Sequence, residues 1–445
     1  MNLYEIAKAC SGTLVGDGNI EVSQYSNDTR TLQKGALYIP IVGEVFDGHA
    51  FIEKAFEAGA VATLSSKKEE SYNYPCIYVE DTLQAFQDIA HYTAKMANVP
   101  IVGITGSVGK TSTRDMVGAV VASHYNTLKT NGNFNNHIGV PITIMRYTNE
   151  EAMVLEMGMN HLREIAKLVE IARPHIGVIT NVGTAHIGLV GSRENILKAK
   201  LEMAEYFDET NTLVINLDND MLANFYEHQH VNYKIKTFGI KSDADVKATN
   251  VKLYESKSTF DYNNMTFEVN VPGEHFVLNA LAAISVGECL NIPYEKMKDA
   301  IANFELTKNR MDFVELKNGI SIIDGTYNAN LDSMLSSLAV LGKYERRKIA
   351  VLADMLELGD YSEELHLKTG KAVDENKIDV LICVGNESKH IIEGAQNTKE
   401  KHWFKTNDEA YAYLKEILQE KDILLVKGSN SMRLKEIITK LKEND

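Results

Sequence analysis

The chain has 445 residues, room for about three domains of ordinary size. Apolar residues make up 44%, enough for substantial cores, and the net charge of −15 argues against a general nucleic-acid binder or an anionic membrane surface as partner. Four scattered cysteines (Cys10, Cys76, Cys289, Cys383) lack metal-ligand spacing, the amino terminus lacks a leader pattern, and no run approaches membrane-spanning length, so a cytoplasmic protein is expected.

In chain order, residues 1–82 carry a small α/β pattern, with strands expected over 36–42 and 60–64 and a helix over 51–58. A second block, 83–306, alternates short apolar strands (152–155, 176–180, 212–216) with helical runs, which predicts a parallel, doubly wound sheet. Near its end, residues 245–271 alternate apolar and polar positions around Asn263 and Asn264, the pattern of an antiparallel excursion. The third block, 307–445, again alternates, with strands over 320–323, 349–352, 380–384 and 423–426, and reads as a second nucleotide-binding-type sheet.

The strongest chemical signal opens the second block. An apolar strand over 100–104 runs into Gly106, Ser107, Val108, Gly109, Lys110, Thr111, Ser112 and a helical run. Such a turn offers backbone N–H groups to phosphate oxygens, a lysine to the β- and γ-phosphates and a threonine hydroxyl to Mg²⁺. The spacing is irregular: the usual first glycine position holds Ile104, flanked by Gly103 and Gly106. An ATP site is expected here. Two more strands of this block end in polar groups, one in Glu156 and the other running through Thr180 and Asn181 to His186, where hard donors for a magnesium–phosphate site belong. Lys200 falls within an apolar stripe of Ile196, Leu197, Leu201 and Ala204. It either snorkels to water or, desolvated and partly neutral, takes up CO₂ as a carbamate that would serve as a carboxylate-like ligand to a second Mg²⁺.

Together these segments resemble the Mur ligases of bacterial cell-wall synthesis, and the likeness extends over all three blocks. It rests on the phosphate loop 105–111, on 130–141 with Asn135 and Asn136, on 156–158, on 180–186 and on 199–202. It implies three domains: a UDP-muramoyl-peptide-binding domain (1–82), an ATP-binding parallel-sheet domain (83–306) and a Rossmann-like ligase domain (307–445). It implies Lys110, Lys200, His186 and Arg310 as catalytic groups. Thr111, Glu156, His186 and carbamylated Lys200 would hold two magnesium ions. ATP would be met by Gly106, Ser107, Gly109, Lys110, Thr111, Ser112, Asn279, Arg310 and Asp324.

Segments 26–30 and 43–49 are similar to UDP-sugar-binding signatures, which implies substrate contacts from Ser26, Thr29 and Arg30 beside those from Asn135 and Asn136. Tyr327, Asn328, Asn330 and the run 354–359 look like marks of the branch joining D-alanyl-D-alanine to UDP-N-acetylmuramoyl-tripeptide, acting as a monomer. Gly325 stands where the family often has a second aspartate, and Leu331, Asn309, Ala353 and Asn430 are further departures, all in or at the entry to the third block. Rival readings are a sister ligase adding the third amino acid, a folylpolyglutamate-type ligase, disfavoured by the first block, and a non-catalytic nucleotide-binding paralogue.

Overall fold

A computed structural model describes the chain except residues 44, 69–70, 308–311, 318 and 444–445, so Arg310 lies outside the described residues. The first block folds around a five-stranded sheet: β1 (Thr13–Val15), β2 (Gln24–Ser26), β3 (Ala36–Tyr38), β4 (Ala62–Ser65) and β5 (Cys76–Tyr78), in the order β1-β5-β4-β3-β2. Only β1 runs antiparallel to its neighbour. The strand expected over 36–42 stops at Tyr38. Pro40 follows, has no N–H to give a ladder, and has its carbonyl taken by the Thr82 hydroxyl at 2.5 Å. The helix expected over 51–58 is a short 3₁₀ turn, Gly48–Phe51, leading into a helix at Ile52–Glu57.

A helix at Thr82–Ala97, capped by the Asp81 carboxylate on two backbone N–H groups, leads into the central sheet. Seven parallel strands, β6 (Ile101–Thr105), β7 (Thr127–Lys129), β8 (Ala152–Glu156), β9 (Ile176–Ile179), β10 (Thr212–Asn216), β11 (Lys234–Gly239) and β12 (Val246–Lys247), take the order β12-β11-β10-β9-β6-β8-β7. Strand order reverses beside β6, so a crevice opens at the carboxyl ends of β6, β8 and β9. Ile104 on β6 lies level with both Glu156 and Val178, which brings the ends of these strands together.

The antiparallel excursion is a three-stranded sheet of β13 (Thr249–Leu253), β14 (Ser258–Tyr262) and β15 (Met265–Val269). Its tight turn places Asn263 and Asn264 both at positive φ, as a two-residue hairpin turn requires. Phe260 and Phe267 stack across it, ring centroids 5.3 Å apart.

The third block is a six-stranded sheet of β16 (Asp312–Glu315), β17 (Ser321–Gly325), β18 (Lys348–Ala353), β19 (Val380–Val384), β20 (Glu400–Phe404) and β21 (Ile423–Lys427), ordered β16-β17-β21-β18-β19-β20. All its pairings are parallel except β16 with β17. Its inner strands are buried on both faces, as near-continuous apolar runs predict. No helix among the described residues is long and apolar enough to cross a membrane.

Candidate active site

The carboxyl end of the central sheet and the facing edge of the third domain enclose one cleft of about 800 Å³. Ser107, Gly109, Lys110, Ser112, Asn135, Asn136, Glu156, His186 and Asn279 line its central-domain side; Tyr327, Asn328 and Asn330 line the opposite wall. The structure thus brings together most of the residues that sequence reasoning selects from the second and third blocks.

The phosphate loop is held open from behind. Gly106 permits the turn: a Cβ there would meet the Thr180 hydroxyl at 1.8 Å. The Asn181 side-chain oxygen accepts from the N–H groups of Ser107 and Val108, at 3.1 and 2.9 Å, and the Thr180 hydroxyl donates to the Val108 carbonyl at 2.7 Å. Gly109, at φ +79°, precedes the helix Lys110–Ala122, whose amino-terminal, positive dipole end faces the cleft. The Lys110 ammonium donates to the Gly106 carbonyl at 2.8 Å. Thr111 is buried beneath the loop and does not line the cleft wall.

Glu156 ends β8 almost fully buried, its carboxylate accepting from Asn135 Nδ2 at 2.8 Å and from Arg114 Nη1 at 3.3 Å. Arg114 is a residue that sequence reasoning does not select. It is the largest fully buried side chain, and its guanidinium also reaches Asp115, the Gly132 carbonyl and the Thr307 hydroxyl. Shortly after the lysine-threonine pair, it reads in sequence simply as a polar residue of a helix. Only the fold reveals that it bridges the strand end carrying Glu156 and the segment leading to the third domain.

Lys200, on the helix Arg193–Leu201, is 3% exposed and has no hydrogen bond or ion pair among the described residues. Burial, and then the neighbouring Lys110, push its amine well below the ordinary lysine range. A buried amine beside a second cation fits the carbamate alternative, because carbamylation would replace a destabilising positive charge with a negative one next to Lys110. His186 is likewise pushed down by burial and by Lys110, against the pull of Glu357, whose Oε2 lies 2.6 Å from Nδ1. No three His, Cys, Asp or Glu side chains cluster as a ready-made metal site among the described residues. The donors offered instead, a hydroxyl, one carboxylate, one imidazole and a modifiable lysine around a phosphate cradle, suit magnesium, which takes few protein ligands and shares phosphate oxygens.

Asn279, on the helix Glu274–Cys289, lines the cleft beside the phosphate loop: a Cβ on Gly109 would lie 3.3 Å from its Oδ1. Its carbonyl oxygen accepts from the Thr113 hydroxyl at 2.9 Å, while its Nδ2 is buried with no partner among the described residues, a donor available to a purine edge. Asp324 does not line the cleft. It is fully buried, accepts from the N–H and hydroxyl of Thr326, and pairs with Lys435. Asn330 forms a reciprocal capping box with Ser333 on the helix Leu331–Leu341, and Asn136 caps the helix Gly139–Ile144. Ser26, Thr29 and Arg30 lie apart from the cleft: the Ser26 hydroxyl binds the Asp28 backbone, and the exposed Arg30 guanidinium pairs with Asp28.

Comparison with known proteins accords with this architecture. Models of the Mur ligase family match residues 21–102 (its catalytic domain), 104–287 (the middle domain) and 309–430 (the glutamate ligase domain). A UDP-N-acetylmuramoyl-tripeptide--D-alanyl-D-alanine ligase of Bacillus subtilis is 37% identical, over 99% of this chain and 98% of its own. The Escherichia coli protein of the same name is 33% identical over 100% and 99%. Among solved structures, MurF from Acinetobacter baumannii superposes with a TM-score of 0.93 at 28% identity, covering 99% of this chain and 98% of its own. MurF from Thermotoga maritima, solved with ADP, superposes with a TM-score of 0.84 at 26% identity, covering 94% and 97%.

Proposed function

The chain belongs to the Mur ligase family, and from that premise we propose that it uses ATP to join D-alanyl-D-alanine to UDP-N-acetylmuramoyl-tripeptide. The observation that carries the reading is the shared cleft: an anion cradle on one wall and a hydroxyl- and amide-rich wall, Tyr327 to Asn330, on the other. A triphosphate and a peptide bond in the making need those two surfaces face to face.

A carboxylate is a poor electrophile, so it must first be phosphorylated. An oxygen of the tripeptide's terminal carboxylate attacks the γ-phosphorus, the bond to the β-bridging oxygen breaks, and ADP leaves an acyl phosphate. The start of the helix Lys110–Ala122 and the Lys110 ammonium bind and orient the phosphates, so this chain contributes mainly position and electrostatic stabilisation. Thr111, Glu156, His186 and carbamylated Lys200 are the groups we assign to two magnesium ions, which when bound neutralise phosphate charge. The free amine of D-alanyl-D-alanine then attacks the acyl carbon, phosphate leaves from the tetrahedral intermediate, and the amine's proton is lost. Asn279 contacts adenine in this reading, Asn135 and Asn136 the acceptor peptide, and Tyr327 and Asn328 the incoming dipeptide. Arg310 joins the phosphates from the third domain, whose closure keeps water from the acyl phosphate. Ser26, Thr29 and Arg30 are assigned to the uridine diphosphate end.

Residues 1–82, 83–306 and 307–445 are taken as the three domains, acting as a monomer. Because ATP is a substrate, the reaction belongs in the cytoplasm. Oxygen labelling tests the chemistry: heavy oxygen in the tripeptide's terminal carboxylate should appear in inorganic phosphate as the pentapeptide forms. Pentapeptide with unlabelled phosphate would exclude the acyl-phosphate route.

A further inference from the structure

Among the described residues, the His186 imidazole finds its hydrogen-bond partner in the third domain, not in its own. Its Nδ1 lies 2.6 Å from Glu357 Oε2, and Glu357 belongs to the loop that follows β18 in the third domain. An ionised carboxylate has no proton to give, so Nδ1 carries the hydrogen and donates it, and the lone pair is left on Nε2. That is the arrangement of a metal-binding imidazole whose second ring nitrogen is fixed by an outer carboxylate.

Both residues are set for this meeting. His186 and Glu357 each adopt positive φ, 61° and 62°, uncommon for residues with side chains. Around them hydrogen bonds join the two domains, each using a backbone group of the central domain. The Gly188 N–H donates to the Glu357 carbonyl at 3.0 Å, the Tyr361 hydroxyl donates to the Gly191 carbonyl at 3.0 Å, and the Thr184 N–H donates to Asp332 at 3.0 Å. Gly188 has no room for a side chain: a Cβ there would meet Gly359 N at 2.5 Å and Leu358 C at 2.6 Å. The loop bearing Glu357 is itself stiff. Asp354 accepts three N–H groups from residues 386–388, Met355 N–H donates to His366, and Leu356 N–H donates to Ser429.

We propose that Glu357 is a positioning residue which, on docking of the third domain, fixes His186 as the Nδ1–H tautomer and so readies Nε2 as a magnesium ligand. The inference rests on the ligase reading for what Nε2 binds. It makes one ligand of the nucleotide site conditional on domain closure, so phosphoryl transfer is favoured only when the amine-binding wall is in place.

The test is ring-nitrogen NMR of the full-length chain labelled at histidine, with His186 assigned by its loss in His186→Gln. Wild type should show a fixed Nδ1–H tautomer. Glu357→Leu should lose it, and Glu357→Gln, which keeps an acceptor, should retain it. Gly188→Ala, which alters neither side chain but parts the two loops, should lose it as Glu357→Leu does. In turnover, Glu357→Leu should lower kcat by about ten- to a hundredfold, with the KM for ATP little changed and most of the rate restored in Glu357→Gln. An unchanged His186 tautomer in Glu357→Leu, or in Gly188→Ala, would overturn the proposal. The tautomer is read without substrates, so its outcome is independent of whether the wild-type chain makes pentapeptide.

Discussion

At the scale of single residues, Lys200 carries the most specific chemistry. If it acts as a carbamate, wild-type activity should fall in CO₂-depleted buffer and return with bicarbonate, while Lys200→Ala should be inactive in both. Full activity in CO₂-free buffer would leave no place for the modification. His275 offers a second check on a different quantity. Burial, and then Lys427, push its imidazole down to about 4, against an ordinary 6.5. The folded protein therefore resists taking a proton that the unfolded chain accepts, so stability is lost as pH falls from 6.5 toward about 4. His275→Gln removes that loss. Denaturant unfolding should show the variant gaining up to about 2 kcal/mol relative to wild type on going from about pH 7 to about pH 5.

At the scale of elements, most of what is legible in the sequence is local. The strands over 212–216 and 380–384, the turn at Asn263 and Asn264, and the strand-loop-helix at Lys110 all appear where periodicity and turn chemistry put them. Glu156 is legible as a strand end, and the inward Lys200 as a break in a helical stripe. Arg114 and Asp332 are not, and Glu357 is legible only as part of the run 354–359 and not by its role, because each acquires meaning from partners far along the chain: Thr307, Thr184 and His186. The short β1, β2 and β5 strands carry too few residues to show a period. Asp324 differs again: its place in a resembling motif implies a ligand contact, and in the fold its carboxylate meets Thr326 and Lys435.

Two substitutions test this layer. Gly106→Ala pushes a Cβ into the Thr180 hydroxyl and distorts the loop, and should weaken ATP binding by about tenfold or more, as measured by calorimetry. Arg114→Met strands the buried carboxylates of Asp115 and Glu156, and should cost about 3–5 kcal/mol in urea unfolding, with Arg114→Lys intermediate. A loss under about 1 kcal/mol would mean that this network contributes little.

At the scale of the whole molecule, the central and third domains each supply something the other lacks. The central sheet gives the phosphate cradle at its order-reversal point. The third domain closes over it with a peptide-suited wall and the Glu357 latch. The linker between them is tied to the cradle's own helix, since Thr307 is held by both Arg114 and Asp115. ATP hydrolysis without an acceptor would discard the activated intermediate, so the architecture predicts that catalysis waits for both peptide substrates. The measurement is phosphate release from ATP in the presence of UDP-N-acetylmuramoyl-tripeptide, with and without D-alanyl-D-alanine, with the product weighed by mass spectrometry. Release that depends on both, one phosphate for each pentapeptide formed, is the predicted result. Release that proceeds equally without the dipeptide, or that requires a single amino acid in its place, would contradict it.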